Sequence, residues 1–307
     1  MKNLIFIFFI LWAGNVYSQK DTFYLNKNVV TLSEVVVGKN MDIPSFIKRL
    51  QEDTSFYKAF KNLRILGFSA INDIRMLDKN GEVKAYYHSK TNQVRKDSCR
   101  TMEILDEKTS GDFFDSNGGY NYYTANMYAG LFFTKGKICG ETNIVGDVNF
   151  STAGKSGIEK HKEQLKILFF NPGGKISGIP FMGKKTELYS ETMSGNYDMN
   201  IDVELHNGKE CFVFKQKVKE GKRSSVVINE MVTWFDVKDF SITGRSYDLS
   251  YDAGLYDFKV SMEVEMENFE DLIVPKLIRY NGDWKVFGKK RERGIFTATL
   301  SGFTRSE

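Results

Sequence analysis

Asn196-Tyr197-Asp198-Met199-Asn200-Ile201-Asp202-Val203-Glu204-Leu205 places its apolar side chains on one parity and its polar ones on the other. Phe258-Lys259-Val260-Ser261-Met262-Glu263-Val264-Glu265-Met266-Glu267 repeats the pattern. Successive side chains of a strand point to opposite faces, so a period of two describes a sheet with one wet face and one apolar face. The apolar face must be covered by helices, by more sheet, by lipid or by a ligand. Which of these covers it is the functional question.

Working outward, the C-terminal third reads as strand after strand, with hairpin turns expected at Asn207-Gly208, at Asp252-Ala253-Gly254 and at Asn281-Gly282. Pro275 cannot donate to a ladder and is expected at a strand start or edge. Towards the N-terminus, strands are predicted over Ile65–Met76 and Val83–Val94, joined by Asp78-Lys79-Asn80-Gly81, with a further strand at Met102–Leu105. A helix is predicted from Pro44 to Phe60, capped by Asp42, with Phe46, Ile47, Leu50, Tyr57 and Phe60 on one stripe. Tyr122–Phe133 reads as an aromatic-rich helix and Ile158–Phe169 as a third, stopped by Gly173-Gly174. A glycine-rich loop, Pro172–Lys185, follows. The fold class expected is α+β, a large curved antiparallel sheet of roughly ten strands covered on its concave side by about three helices.

The first residues suggest an address. Met1-Lys2-Asn3 is a positive start, Leu4–Ala13 is an unbroken apolar run, and Val16-Tyr17-Ser18 suits cleavage before Gln19. This predicts a secretory signal peptide over 1–18, an arm over 19–41 and one domain over 42–307, with a periplasmic or outer-membrane-associated location. No later run is long enough for a transmembrane helix. The 307 residues carry a net charge of +4 with both signs interspersed, which indicates solubility and not nucleic-acid binding. With an odd number of cysteines (Cys99, Cys139, Cys211) and a large core, buried free thiols are favoured over one disulfide. His88, His161 and His206 are isolated from one another and from every cysteine, so no metal site is expected.

No catalytic set emerges, and neither an enzyme nor a cofactor is expected. Gly178-Ile179-Pro180-Phe181-Met182-Gly183-Lys184 has the spacing of a phosphate loop, but Lys185 stands where a Ser or Thr is required, and the flanking strand and helix are missing. Ser55-Phe56-Tyr57-Lys58 matches the Ser-x-x-Lys of penicillin-recognising enzymes, yet the companion motifs occur in the wrong order. Glu263, Glu265 and Glu267 share the polar parity of one strand and read as a solvated face. Trp234 and the segment Phe169, Phe170, Phe181, Met182 read first as packing, although the latter flank a loop placed where a lid over the sheet is expected.

An apolar hollow of several hundred Å² left open would destabilise the unliganded protein at about 25 cal/mol per Å², and an apolar ligand would recover that energy. The ligand-facing residues expected are Phe169, Ile179, Phe181, Met182, Met199, Ile201, Val203, Trp234, Phe258, Val260, Met262 and Val264. Here the chain resembles the lipoprotein-carrier (LolA/LolB-like) architecture. Val232-Thr233-Trp234-Phe235-Asp236 followed by Ile242–Tyr251, and then Pro275–Trp284, are similar to that family's strand–turn–strand units. The resemblance, covering most of 42–303, implies an incomplete barrel lidded by helices that holds acyl chains, hence an exported carrier of lipid or of a lipoprotein acyl chain. Leu32-Ser33-Glu34-Val35-Val36-Val37 resembles a segment near the start of envelope proteins and TonB-linked receptors. The alternatives are an outer-membrane β-barrel, whose apolar parity would face lipid, and a module that docks another envelope protein.

Overall fold

A computed structural model describes residues 22–25, 28–31, 48–50, 52–145, 168–174, 182–252, 256–286 and 288–305. The expected signal peptide, Leu32–Val37, the start of the first helix, most of Ile158–Phe169, the turn at Ala253-Gly254 and most of the phosphate-loop-like segment lie outside these residues. Two short strands, β1 (Thr22–Leu25) and β2 (Asn28–Thr31), pair with each other.

The remaining eleven strands form one antiparallel sheet. They are β3 (Gly67–Leu77), β4 (Val83–Lys96), β5 (Cys99–Ser110), β6 (Ile138–Cys139), β7 (Tyr197–His206), β8 (Lys209–Val218), β9 (Ile228–Asp236), β10 (Ile242–Asp252), β11 (Tyr256–Phe269), β12 (Leu272–Val286) and β13 (Glu292–Thr304). Their spatial order is β6-β5-β4-β3-β13-β12-β11-β10-β9-β8-β7. All neighbours are consecutive in sequence except β3 and β13, so the first long strand and the last meet mid-sheet and two meanders run outward from that seam. The two ends do not join, and the sheet is not closed into a barrel.

Alternation fixes which face is inside. Phe258, Val260, Met262, Val264 and Met266 of β11 are all buried, while Lys259, Ser261 and Glu267 are exposed. Directly paired residues share a face, so Trp284, Tyr280 and Ile278 of β12 and Phe296 and Ala298 of β13 continue the inner surface. Its centre is aromatic: Phe258 stacks on Trp284 at 4.6 Å, and the Trp284 indole N–H donates to the Tyr280 hydroxyl. The outer face is charged, with ion pairs such as Arg279–Glu263 at 2.8 Å and Arg293–Asp283 at 3.0 Å. A lipid-embedded barrel would need the opposite parity.

Two helices lie on the inner face. Helix α1 (Ser55–Asn62) packs against β12 and β10, and α2 (Tyr123–Phe132) against β13. The helix expected over Pro44–Phe60 is broken before Ser55, because Asp53 Oδ1 accepts the Ser55 N–H at 2.9 Å and starts a new helix there. Helical residues 168–170 add Leu168, Phe169 and Phe170, all buried, and a one-turn α3 (Glu191–Ser194) precedes β7. Residues between β6 and β7 therefore carry the chain from one end of the sheet to the other.

Three further expectations change. Asn281-Gly282 is not a turn: β12 runs straight through it. Gly282 is needed there because the Tyr280 ring folds over it, and a Cβ would sit 2.1 Å from the Tyr280 hydroxyl. The true turn is Glu270-Asp271, with Glu270 at φ 54°. By contrast Asn207 and Gly208 both have positive φ, as a two-residue hairpin requires. Pro275 sits at a bulge, in a stretch of β12 not paired to β13. The third change is a disulfide: Cys99 and Cys139 are joined, closing β5 onto β6, and Cys211 is the buried free thiol. Antiparallel pairing places Cys99 opposite Cys139 across 40 residues of sequence, a proximity that spacing alone does not reveal.

Candidate functional site

An inner face lined with large side chains becomes hollow where small ones interrupt it. On β3 the inner parity reads Phe68, Ala70, Asn72, Ile74, and on β13 it reads Phe296, Ala298, Leu300, with Leu300 opposite Ala70 and Ala298 opposite Asn72. The two alanines leave space above the seam of the sheet. Tyr57 and Phe60 of α1, Leu131 and Phe132 of α2, and Phe170 close over that space without filling it. What remains is a cleft open to solvent, with a free volume of about 80 Å³. A second gap of about 10 Å³ lies deeper, between α2 and the sheet centre, and shares Leu131 and Phe132 with the first. Phe132 is the partition, stacked on Phe296 at 5.0 Å and edge-on to Phe170 at 6.3 Å.

The mouth is cationic. Lys61 and Arg64, from the end of α1 and the turn after it, face Arg100 of β5. The Arg100 guanidinium is held from behind: it donates to Gln93 Oε1 at 3.2 Å and to Thr134 Oγ1. Gln93 is fixed in turn by donating to the Leu63 and Leu66 carbonyls at 2.8 and 2.7 Å. Arg95 donates to the Arg64 carbonyl at 3.0 Å and reaches the Glu141 carbonyl at 3.3 Å. Among the described residues one carboxylate answers this group. Glu141 Oε1 lies 3.1 Å from Arg64 Nη1 and Oε2 lies 2.5 Å from Arg100 Nε.

Burial raises the Glu141 pKa, but hydrogen bonding and charge from Arg100, with Arg64 and Lys61 behind it, outweigh that and hold it below the ordinary carboxylate range. Burial first, then repulsion from Arg64, lowers the pKa of Lys61 against the pull of Glu141. The arrangement is an apolar floor under an anion-attracting rim. Among the described residues it holds no nucleophile–base pair, and no group of His, Cys, Asp or Glu is placed to hold a metal.

Of the residues expected to face a ligand, Phe258, Val260, Met262 and Val264 of β11 and Met199 and Ile201 of β7 lie on the buried inner face. Phe169 packs against Tyr280 and Trp284 at 5.7 and 6.1 Å, and with Met262 borders the deeper gap. Met182 is fully buried. Val203 has the inner parity but is 38% exposed, beyond the cover of the helices. Trp234 is on the outer face, stacked on His206 at 4.4 Å. Glu265 is buried beside it, 3.0 Å from His206, and so departs from the solvated face expected of the three glutamates. Ile179 and Phe181 lie outside the described residues. The interior is packed by the chain's own aromatic side chains, so the wide uncovered hollow expected from the sequence is absent among the described residues. Sequence reasoning did not single out Ala70, Ala298, Phe132, Arg64, Arg100 or Glu141. The available signal was Ala70, Asn72 and Ala298 on the inward parity of strands that otherwise place Phe68, Ile74, Phe296 and Leu300 there.

No protein-family description and no curated protein matches the chain. Among solved structures it is similar to a domain described as an outer membrane lipoprotein-sorting protein from Vibrio parahaemolyticus, at 9% identity and TM-score 0.26, covering 82% of this chain and 92% of that one. It is likewise similar to a LolA superfamily protein from Nitrosomonas europaea, at 9% identity and TM-score 0.24, over 83% and 94%. A lipovitellin structure described for its lipid–protein interactions matches at 8% identity and TM-score 0.28, over 79% of this chain and 26% of that one. Superpositions this loose carry no inference about the site, whose reading rests on its own geometry.

Proposed function

We propose that this protein is a non-enzymatic carrier of an apolar ligand, a lipid or the acyl chain of a lipoprotein, working in the periplasm or at the outer membrane after export. The observation that carries the reading is the cleft between α1, α2, Phe170 and the alanine-floored seam of β3 and β13, parted by Phe132 from the gap at the sheet centre. Ligand pockets commonly enclose about 300–1,000 Å³, so a cleft of about 80 Å³ has to widen to take such a ligand. Loading requires Phe132 and Phe170 to swing off the sheet and be replaced there by alkyl chain. Such an exchange conserves apolar contact and so costs little. The inner positions Phe169, Met182, Met199, Ile201, Phe258, Val260, Met262 and Val264 then supply the wall the chain meets as it runs inward.

Native mass spectrometry of protein purified from its own envelope tests this directly. A lipid-sized adduct, or saturable uptake of an apolar fluorescent probe that Phe170→Ala strengthens, supports the carrier. A clean unliganded mass together with no probe uptake by either form overturns it.

One observation favours a second reading, docking of an envelope protein. β6 pairs only with Cys99 and Arg100, and on that edge of β5, opposite β4, no strand among the described residues borders Met102–Ser110. A bulge there leaves Leu105 without a partner across the ladder, and Ile104 and Leu105 are 56% and 53% exposed. An open, partly apolar edge is a template for strand addition. Capture of a partner that Ile104→Lys abolishes, while probe uptake is unchanged, would favour this reading.

A further inference from the structure

The cleft described above has a polar end that an acyl chain alone does not use. Lys61, Arg64 and Arg100 border its mouth, Arg95 behind them donates to the Arg64 and Glu141 backbone carbonyls, and the Glu141 carboxylate bridges Arg64 and Arg100. We propose that this rim is a binding site for an anionic headgroup, a carboxylate or phosphate carried on an alkyl chain, and that Glu141 occupies it as the chain's own surrogate ligand. The inference rests on the carrier reading, and deepens it by naming the chemistry of the head.

Three features separate this from an ordinary surface ion pair. The two oxygens of Glu141 are taken one each by two guanidinium groups, as a bound oxyanion would be, and Arg100 is only 14% exposed. Arg100 is itself locked by Gln93 and Thr134, so the donor geometry is set whether or not Glu141 is present. Among the described residues at the mouth the cations outnumber the carboxylate, and burial, then crowding by Arg64, lowers the proton affinity of Lys61, so a second negative charge there relieves repulsion. The floor begins directly below: Lys61, Arg64 and Arg100 border the same cleft as Phe68, Ala70 and Leu300. An amphiphile with its head on the guanidinium groups therefore has its tail over the alanine gap.

Glu141 is also placed to be displaced and to return. It lies two residues beyond Cys139, whose disulfide to Cys99 fixes that strap to the strand bearing Arg100. Asn143 anchors the far side by donating to Asn62 Oδ1 at 2.9 Å. The carboxylate can rotate away while the backbone holds its position, and it neutralises the rim again on ligand release.

The test is displacement of a bound apolar fluorescent probe by dodecanoate, dodecyl phosphate and dodecanol, for the disulfide-intact full chain and for Glu141→Ala. Removing the internal competitor should raise affinity for one or both anions by about tenfold or more, the scale of one lost charge-assisted bond, with dodecanol unchanged. A gain for dodecanoate alone assigns the head as carboxylate, and a gain for dodecyl phosphate alone as phosphate. Arg64→Gln, on the more exposed side of the rim, should weaken both anions and spare dodecanol, and it decides the matter if Glu141→Ala does not fold. Equal binding of all three compounds, unaltered by either substitution, overturns the headgroup site and leaves apolar carriage standing. Failure of all three to compete in every form, with no probe uptake, removes the carrier reading itself.

Discussion

On β7 to β11 the inner parity is held by large side chains almost without interruption, from Tyr197, Met199 and Ile201 through Met231 and Tyr247 to Phe258 and Met262. On β3 and β13 it is broken by Ala70, Asn72 and Ala298. The first region is densely packed and has little chemistry on its inner face beyond Arg245, which donates to Thr233 and lies 3.7 Å from Asp53. The second contains the cleft, the cationic rim and the disulfide. Cohesion and binding are thus divided between the two halves of one sheet. The half with the cleaner pattern holds the fold together; the half with the interrupted pattern leaves room for something else.

That division predicts unequal responses to truncation. Phe258 is fully buried against Trp284 in the packed half. Phe258→Ala should destabilise by about 3–5 kcal/mol, measured by urea unfolding, because the rigid sheet cannot collapse into the void. A cost under about 1 kcal/mol would mean that this half is not the cohesive one.

The disulfide is the next largest lever. Closing 40 residues of chain restricts the unfolded state by up to about 4 kcal/mol in the loop-entropy account. Reduction, or Cys99→Ser, should lower the melting temperature and, by loosening the Glu141 strap, increase probe uptake. An unchanged melt after verified reduction would show that β6 contributes nothing to the cleft half. Cys211, buried on β8 with its pKa raised by burial, should stay unreactive to thiol reagents in the folded protein.

Ala298→Leu exchanges one half's rule for the other's. It puts a large inward residue at the alanine gap, and should cost less than the roughly 1–3 kcal/mol of an overpacked core because the space exists. Probe uptake should fall sharply while the melting temperature stays within a few degrees. Retained uptake would place the ligand elsewhere on the sheet.

The same contrast explains what was legible in the sequence. Period-two alternation identified both strands, and the inner face at Tyr197–Ile201 and Phe258–Met266, but Val203 and Leu205 keep the inner parity and are exposed, and Glu265 is buried on the outer one, because parity sets the face and not its cover. Asn281-Gly282 misled because a local turn signal was overridden by a tertiary need, space for the Tyr280 ring. Trp234 misled because aromatic character does not report parity, and Trp234 alternates with the inward Thr233 and Phe235. The rim could not be read at all. Arg64, Arg100 and Glu141 lie on three separate stretches, and only the β3–β4–β5 register and the Cys99–Cys139 pairing bring them together. The extent of packing was equally hidden, since it depends on how α1, α2 and 168–170 seat their aromatics on the sheet.

The smallest effect expected is electrostatic, and only in the cleft half does it reach the proposed ligand. Glu141 has a folded pKa below its unfolded value, because Arg100 and Arg64 outweigh the opposing effect of burial. Its contribution to stability is therefore complete above the unfolded carboxylate value of about 4.3 and is lost as pH falls through the lower folded value. On acidification from neutral pH, wild type and Glu141→Gln should melt in parallel down to about pH 5 and converge as pH falls from the unfolded value through the lower folded one. Glu265 in the packed half has its pKa lowered as well, through His206 and Asn207 against burial, and contributes the same sign of dependence. Only Glu141, however, is at the mouth of the cleft. Acidification through the lowered folded value should therefore vacate the rim of its own carboxylate, so that the advantage of Glu141→Gln over wild type in binding dodecyl phosphate, present at pH 7, disappears, a ratio that cancels the head's own gain of a proton at about pH 6. No advantage at pH 7, or one unchanged below the folded value, would show that Glu141 does not compete for the rim.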